Sequence, residues 1–176
     1  MPLFKNNAFV PDAYVSVADD AALPDSRHLL VSFGRLQNDW NAIANHSASI
    51  GVRLTNTDRV ETLQPFSGKL ALIVLAFPAF TDGRSYSIAR ALRLNGYRGE
   101  MRAEGNILPD QLQFMTQVGF DSFLVTDRFP LQDWQAAAHQ MSLAYQRGLF
   151  RAAQETQVWS SRHQGFAAWE EQPHAG

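Results

Sequence analysis

The chain has 176 residues, 45% of them hydrophobic and 18% charged, which suits one globular domain with a sizeable core. Its formal net charge of -2 argues against a dedicated nucleic-acid binder, because phosphate contacts need a concentrated basic surface. With no cysteine at all, it has no disulfide, no thiol nucleophile, no Cys-x-x-Cys redox pair and no cysteine-ligated iron–sulfur cluster.

The opening "MPLFKNNAFV" lacks the long apolar core of a secretory signal. "AFVPDAYVSV" (Ala8 to Val17) reads as a strand or small hairpin with Pro11-Asp12 as its turn, and "ADDAALPDS" as a polar loop. A regular pattern then begins. "HLLVSF" (His28 to Phe33) is a short strand, and Leu36, Trp40 and Ile43 follow at helical spacing. "IGVRLT" (Ile50 to Thr55) is a second strand, and one or two helical turns are expected around Val60 and Leu63.

Leu70 to Phe77 is continuously apolar, as a central strand covered on both faces would be. The full apolar run to Phe80 is shorter than the ~20 residues a bilayer requires, so no membrane segment is expected and the chain is placed in the cytoplasm. A helix over Ser85 to Asn95 follows, with Ile88, Ala91, Leu92 and Asn95 in line and Gly96 at its end. "GEMRAE" is a fourth strand. Pro109 opens another helix that Gly119 closes, and Phe120 to Thr126 is a fifth strand. Leu131, Trp134, Ala138, Met141 and Tyr145 predict a long helix running near Leu149.

Strands alternating with helices imply an α/β domain with a mainly parallel sheet of about five strands flanked by helices. Either an open Rossmann-like sheet or a partial β/α-barrel satisfies the pattern. The expected organisation is a hairpin and loop over residues 1–26, a β/α core over 27–149 and an aromatic tail over 150–176.

Ligands of open parallel sheets bind beyond the carboxyl ends of the strands. The turn Thr81, Asp82, Gly83, Arg84, Ser85 falls there, ahead of a helix N-terminus, and its donors suit a small oxyanion. The same residues also make an ordinary turn, with Asp82 or Ser85 as helix cap and Gly83 easing the chain round. Asp82, Glu104 and Asp127 each follow a strand, 22 and 23 residues apart, so a magnesium site is a candidate beside plain turn acids. Arg90 and Arg93 are expected on one exposed helix face, and Trp159, Phe166 and Trp169 in the tail; these form a candidate partner surface. No histidine pair has zinc-ligand spacing, and there is no dinucleotide motif. No cofactor is identified.

The elements "FTDGRS", "GYRGE", "LPDQ" and "GFD" between Phe77 and Phe123 resemble the DUF934 family of bacterial proteins. The resemblance extends back toward His28 and forward to about Tyr145. It implies a link to assimilatory sulfite reduction, with the sulfite reductase haemoprotein as a partner, and carries no catalytic residue with it. The expectation is an accessory protein of that process that binds a small oxyanion at residues 81–85. The alternatives are a β/α-type enzyme acting on a small anionic substrate, with or without magnesium, and a redox protein with a non-covalent cofactor.

Overall fold

A computed structural model describes residues 1–79 and 81–139. It contains one eight-stranded mixed sheet, in the order β2-β1-β8-β7-β6-β5-β4-β3. The first two strands, β1 (Leu3–Lys5) and β2 (Ala8–Val10), form an antiparallel hairpin. Its two-residue turn is Asn6-Asn7, with φ of 51° and 63°. Asparagine tolerates this left-handed backbone, and a turn with positive φ at both central residues matches the twist of the flanking strands. The hairpin therefore lies earlier than the expected Pro11-Asp12 turn.

From β3 (Val15–Ser16) through β4 (His28–Ser32), β5 (Ser49–Leu54), β6 (Leu70–Phe77), β7 (Glu100–Gly105) and β8 (Ser122–Leu124), each strand pairs parallel with the next. The five expected strands are present as β4 to β8. The sheet is nevertheless larger than five strands and mixed, because β1 pairs antiparallel with β8. The short β1 and β3 carry too few residues to show a period.

The helices are α1 (Phe33–Asn38), α2 (Trp40–Ala44), α3 (Arg84–Leu94), α4 (Leu112–Val118) and α5 (Leu131–His139). A 3-10 stretch covers Val60–Lys69, where Pro65 prevents a regular α-helix. The expected helix after β4 is split at Asp39, with Leu36 and Ile43 on its two parts both fully buried. Both α3 and α4 close on a glycine with positive φ, Gly96 (89°) and Gly119 (119°). There the following N–H groups, Tyr97 to the Leu92 carbonyl and Phe120 to the Met115 carbonyl, cap the helix end.

The expectation that helices cover both faces is corrected by the strand order. Successive crossovers of one hand, each moving to the adjacent strand, lay the described helices on the same face. One large core results: Ile50, Val52 and Leu54 of β5, Ile73, Leu75 and Phe77 of β6, and Met101 and Ala103 of β7 pack against Leu36, Ile43, Leu92, Leu112, Met115 and Trp134. Among the described residues the opposite face holds a small apolar cluster of Leu30, Leu72 and Val74 with Tyr14 against it. Chain length also requires curvature. Eight strands laid flat would separate β2 from β3 by roughly 34 Å, whereas the five steps from Val10 to Val15 reach about 18 Å at most. The sheet curls, and residues 11–14 cross the face that is helix-free among the described residues.

Candidate functional site

The carboxyl ends of β3 to β8 lie on one side of the sheet, and the turn after β6 is built there. The Asp82 N–H donates to the Ala79 carbonyl oxygen at 3.0 Å, and the Asp82 carboxylate turns toward the start of α3. It accepts the backbone N–H of Arg84 at 3.1 Å, Arg84 Nε at 3.0 Å and Arg84 Nη2 at 2.7 Å. Asn56 Nδ2, from the loop after β5, donates to the same carboxylate. The Arg84 guanidinium and N–H hold the Asp82 carboxyl far below the usual carboxylate range, and Asp82 raises the Arg84 guanidinium in return.

Of the five turn residues, Thr81, Gly83 and Arg84 are exposed and Asp82 is half-buried. Ser85 is buried and donates its hydroxyl to the Ala76 carbonyl oxygen at 2.7 Å. Gly83 has an ordinary φ of -83°, so its backbone does not require glycine.

Asp82, Glu104 and Asp127 are not brought together. Glu104 pairs with Arg53, Asp82 is engaged as above, and Asp127 is exposed after β8. Among the described residues no group of three His, Cys, Asp or Glu side chains is placed to hold a metal ion.

The expected arginine face also divides. Arg90 is exposed on α3, but Arg93 is buried, because α3 turns Ser85, Ala89, Leu92 and Arg93 to the core. Helical periodicity does not report this burial, because arginine ordinarily faces solvent. Three carbonyl groups in the turns that flank β7 and close α4 supply the reason: Arg93 donates to those of Tyr97 (3.0 Å), Gly99 (2.9 Å) and Gly119 (2.7 Å). Trp159, Phe166 and Trp169 lie outside the described residues.

The helix-free face carries polar groups of which the sequence had marked only Glu104. Arg53 on β5 reaches Glu104 on β7, with Nε at 2.8 Å and Nη2 at 3.4 Å, and its Nη1 lies 3.2 Å from the Ser16 hydroxyl of β3. At the end of β4, the Ser32 hydroxyl donates to Asp19 at 2.6 Å. Deeper on the face, Arg102 is 3% exposed and contacts both Asp12 oxygens at 2.9 Å and Glu100 at 3.0 Å. Lys5 and Ser122 donate to Glu100, each at 2.6 Å. Burial pushes the Glu100 carboxyl up, but the donors Lys5, Ser122 and Arg102 prevail and hold it below its ordinary value. The alternation in "SIGVRL" and "EMRAEG" was the available signal: Ile50, Val52 and Leu54 face the core, as do Met101 and Ala103, leaving Arg53, Arg102 and Glu104 on the other side.

At the other end of the sheet, a cleft of about 840 Å³ opens between the Asn6-Asn7 turn, Arg98, Glu100, Asp121 and His139. Among the described residues no helix is long and apolar enough to cross a membrane.

No curated protein matches the chain. A family model described as a bacterial protein of unknown function matches residues 51–158, from β5 through α5 and beyond. The matched span holds Arg53, Asp82, Arg84, Arg93, Arg102 and Glu104, whereas Asp12, Ser16 and Ser32 precede it. With more than half of its length matched, the chain belongs to the DUF934 family.

Proposed function

We propose that the chain is an accessory protein of assimilatory sulfite reduction that holds a small oxyanion at the carboxyl ends of β5 and β6, beside Thr81 to Ser85. The observation that carries the position is the occupancy of the α3 N-terminus by a carboxylate: Asp82 takes a backbone N–H and the side chain of Arg84, with Asn56 beside it. These are the donors an oxyanion uses at a helix N-terminus. Sulfate, sulfite or phosphate would take the same donors as Asp82 swings away. The pathway rests on the family resemblance of "FTDGRS", "GYRGE", "LPDQ" and "GFD". A role beside the redox enzyme, rather than as one, suits a chain without cysteine or a dinucleotide fingerprint. The partner is the sulfite reductase haemoprotein, approached through exposed Arg90 with Leu94 and Phe114 nearby on α3 and α4.

Thermal melting with sulfite, sulfate and phosphate tests the anion site. At 100 times the dissociation constant, an anion binding only the native state adds about 2.7 kcal/mol, and Arg84→Ala removes that gain. Flat melting curves for all three anions would sink the site. Co-elution with the haemoprotein, with and without sulfite, tests the partner; no complex in either condition removes the accessory role.

A second reading, an enzyme of the partial β/α-barrel type acting on a small anionic substrate, is favoured by the consecutive strand order and by the polar side chains on the helix-free face. Turnover, rather than binding alone, would separate it from the first.

A further inference from the structure

A parallel sheet is ordinarily covered by helices on both faces. Here the face that carries no helix among the described residues holds Arg53 and Glu104 on strands separated by β6. The strand spacing puts β5 and β7 roughly 9.6 Å apart, so both side chains lean over β6 to meet. Beneath them the register places Val74 opposite Arg53 and Ala76 opposite Glu104, both small residues. The Arg53 side chain is 37% exposed and that of Glu104 22%, so the pair is open to solvent on its outer side.

The two contacts of the pair, 2.8 and 3.4 Å, are the approach of an arginine fork to a carboxylate, with one leg long. Ser16 steadies the third nitrogen from β3. Ion pairs this exposed contribute about 0–1 kcal/mol to stability, so folding alone gives a weak reason for bridging two strands across a third.

We infer that Arg53 and Glu104 form a binding site for a small carboxylate that also bears a hydroxyl or amino group. The ligand carboxylate takes the Arg53 fork in place of Glu104, and the released Glu104 accepts the ligand's own donor. A bare carboxylate breaks the internal pair and leaves Glu104 without a partner, so it gains little. The ligand's donor restores the lost contact and supplies the selectivity. This site uses none of the oxyanion donors around Arg84, so the two readings fail separately.

Lactate and L-serine are the probes, with acetate and ethanolamine at matched ionic strength as single-group controls. Lactate or serine raises the melting temperature, and the controls do not. Arg53→Lys, which keeps the charge but loses the fork, and Glu104→Gln each weaken the apparent affinity by about tenfold or more. Arg84→Ala leaves it unchanged. The nitrogen resonance of Arg53 Nε, identified by its loss in Arg53→Lys, shifts in the wild-type chain on adding lactate, a readout that needs no folded variant at saturation. The site is overturned by unmoved melting curves and an unmoved Nε signal. A response equal to that of acetate, or one surviving both substitutions, overturns it as well.

Discussion

Arg93, buried near the end of α3, donates through Nε (3.0 Å) and Nη2 (2.7 Å) to the carbonyl oxygen of Gly119, the residue that closes α4. The same guanidinium reaches the carbonyls of Tyr97 and Gly99 and the carboxylate of Asp121, itself the acceptor of the N–H of Met101, the second residue of β7. One side chain thus joins two helix ends to the start of a strand. Arg93→Ala leaves those acceptors short of a donor in a buried place and costs about 3–5 kcal/mol. Arg93→Lys keeps the charge but not the planar fork, and also destabilises. Urea unfolding checks both, and an unmoved midpoint for Arg93→Ala would remove Arg93 from this role.

The stretches that sequence made plain are those where one physical signal dominates. Leu70–Phe77 is apolar without interruption, and Gly96 and Gly119 mark helix ends because their backbones are left-handed. Arg93 was illegible because its burial depends on carbonyls contributed by two separate turns, which no local period reports. The pairing of Arg53 with Glu104 was illegible for a different reason. An unbroken apolar β6 implies cover on both faces, whereas its neighbours β5 and β7 turn charged residues to a face that has no helix among the described residues. The turn at Asp82 to Ser85 was legible as strand, turn and helix, and there the geometry adds that a carboxylate occupies the helix start.

Glycines separate backbone need from habit. Gly105, at the end of β7, has φ of 121°, and a β-carbon there would lie 2.5 Å from the Phe77 carbonyl oxygen. That oxygen accepts the Asn106 N–H at 2.9 Å, so it is held in place. Gly105→Ala combines left-handed strain with a backbone clash and costs roughly 3 kcal/mol or more. Gly83 has negative φ and open space around it. Gly83→Ala should change stability by about 0.5 kcal/mol or less. Equal melting temperatures for the two alanine variants would refute this contrast.

Acid sensitivity is expected from Glu100. Burial alone would raise its carboxyl, but Lys5, Ser122 and Arg102 hold the folded value below the ordinary one. A carboxylate depressed on folding stabilises fully above its unfolded value, about pH 4.3 for glutamate, and that contribution disappears as pH falls through the folded value. Unfolding free energy should therefore decline below about pH 5, and Glu100→Gln should flatten the decline while lowering stability at neutral pH. The check is a urea series from neutral pH to the acid limit of folding. Parallel curves for the two proteins would show that other carboxylates govern the acid response.

Residues 11–14 join opposite edges of a curled sheet, and Asp12 fastens them by meeting the buried Arg102. Tyr14 packs beyond it, 5.1 Å from the His28 ring and under the Arg102 guanidinium at 5.5 Å. Gly51 leaves it room: a β-carbon there would sit 3.1 Å from the Tyr14 ring. Asp12→Ala removes the fastening, while Arg102 retains Glu100 and Ser122 as partners. The global loss is therefore modest, about 1–3 kcal/mol, and the local loss is larger. Limited proteolysis under native conditions should cut Asp12→Ala between Pro11 and Tyr14 faster than a wild-type chain, by more than the change in global stability accounts for. A cleavage rate that merely follows global stability would mean that the connection is held by Tyr14 and chain length, without help from Asp12.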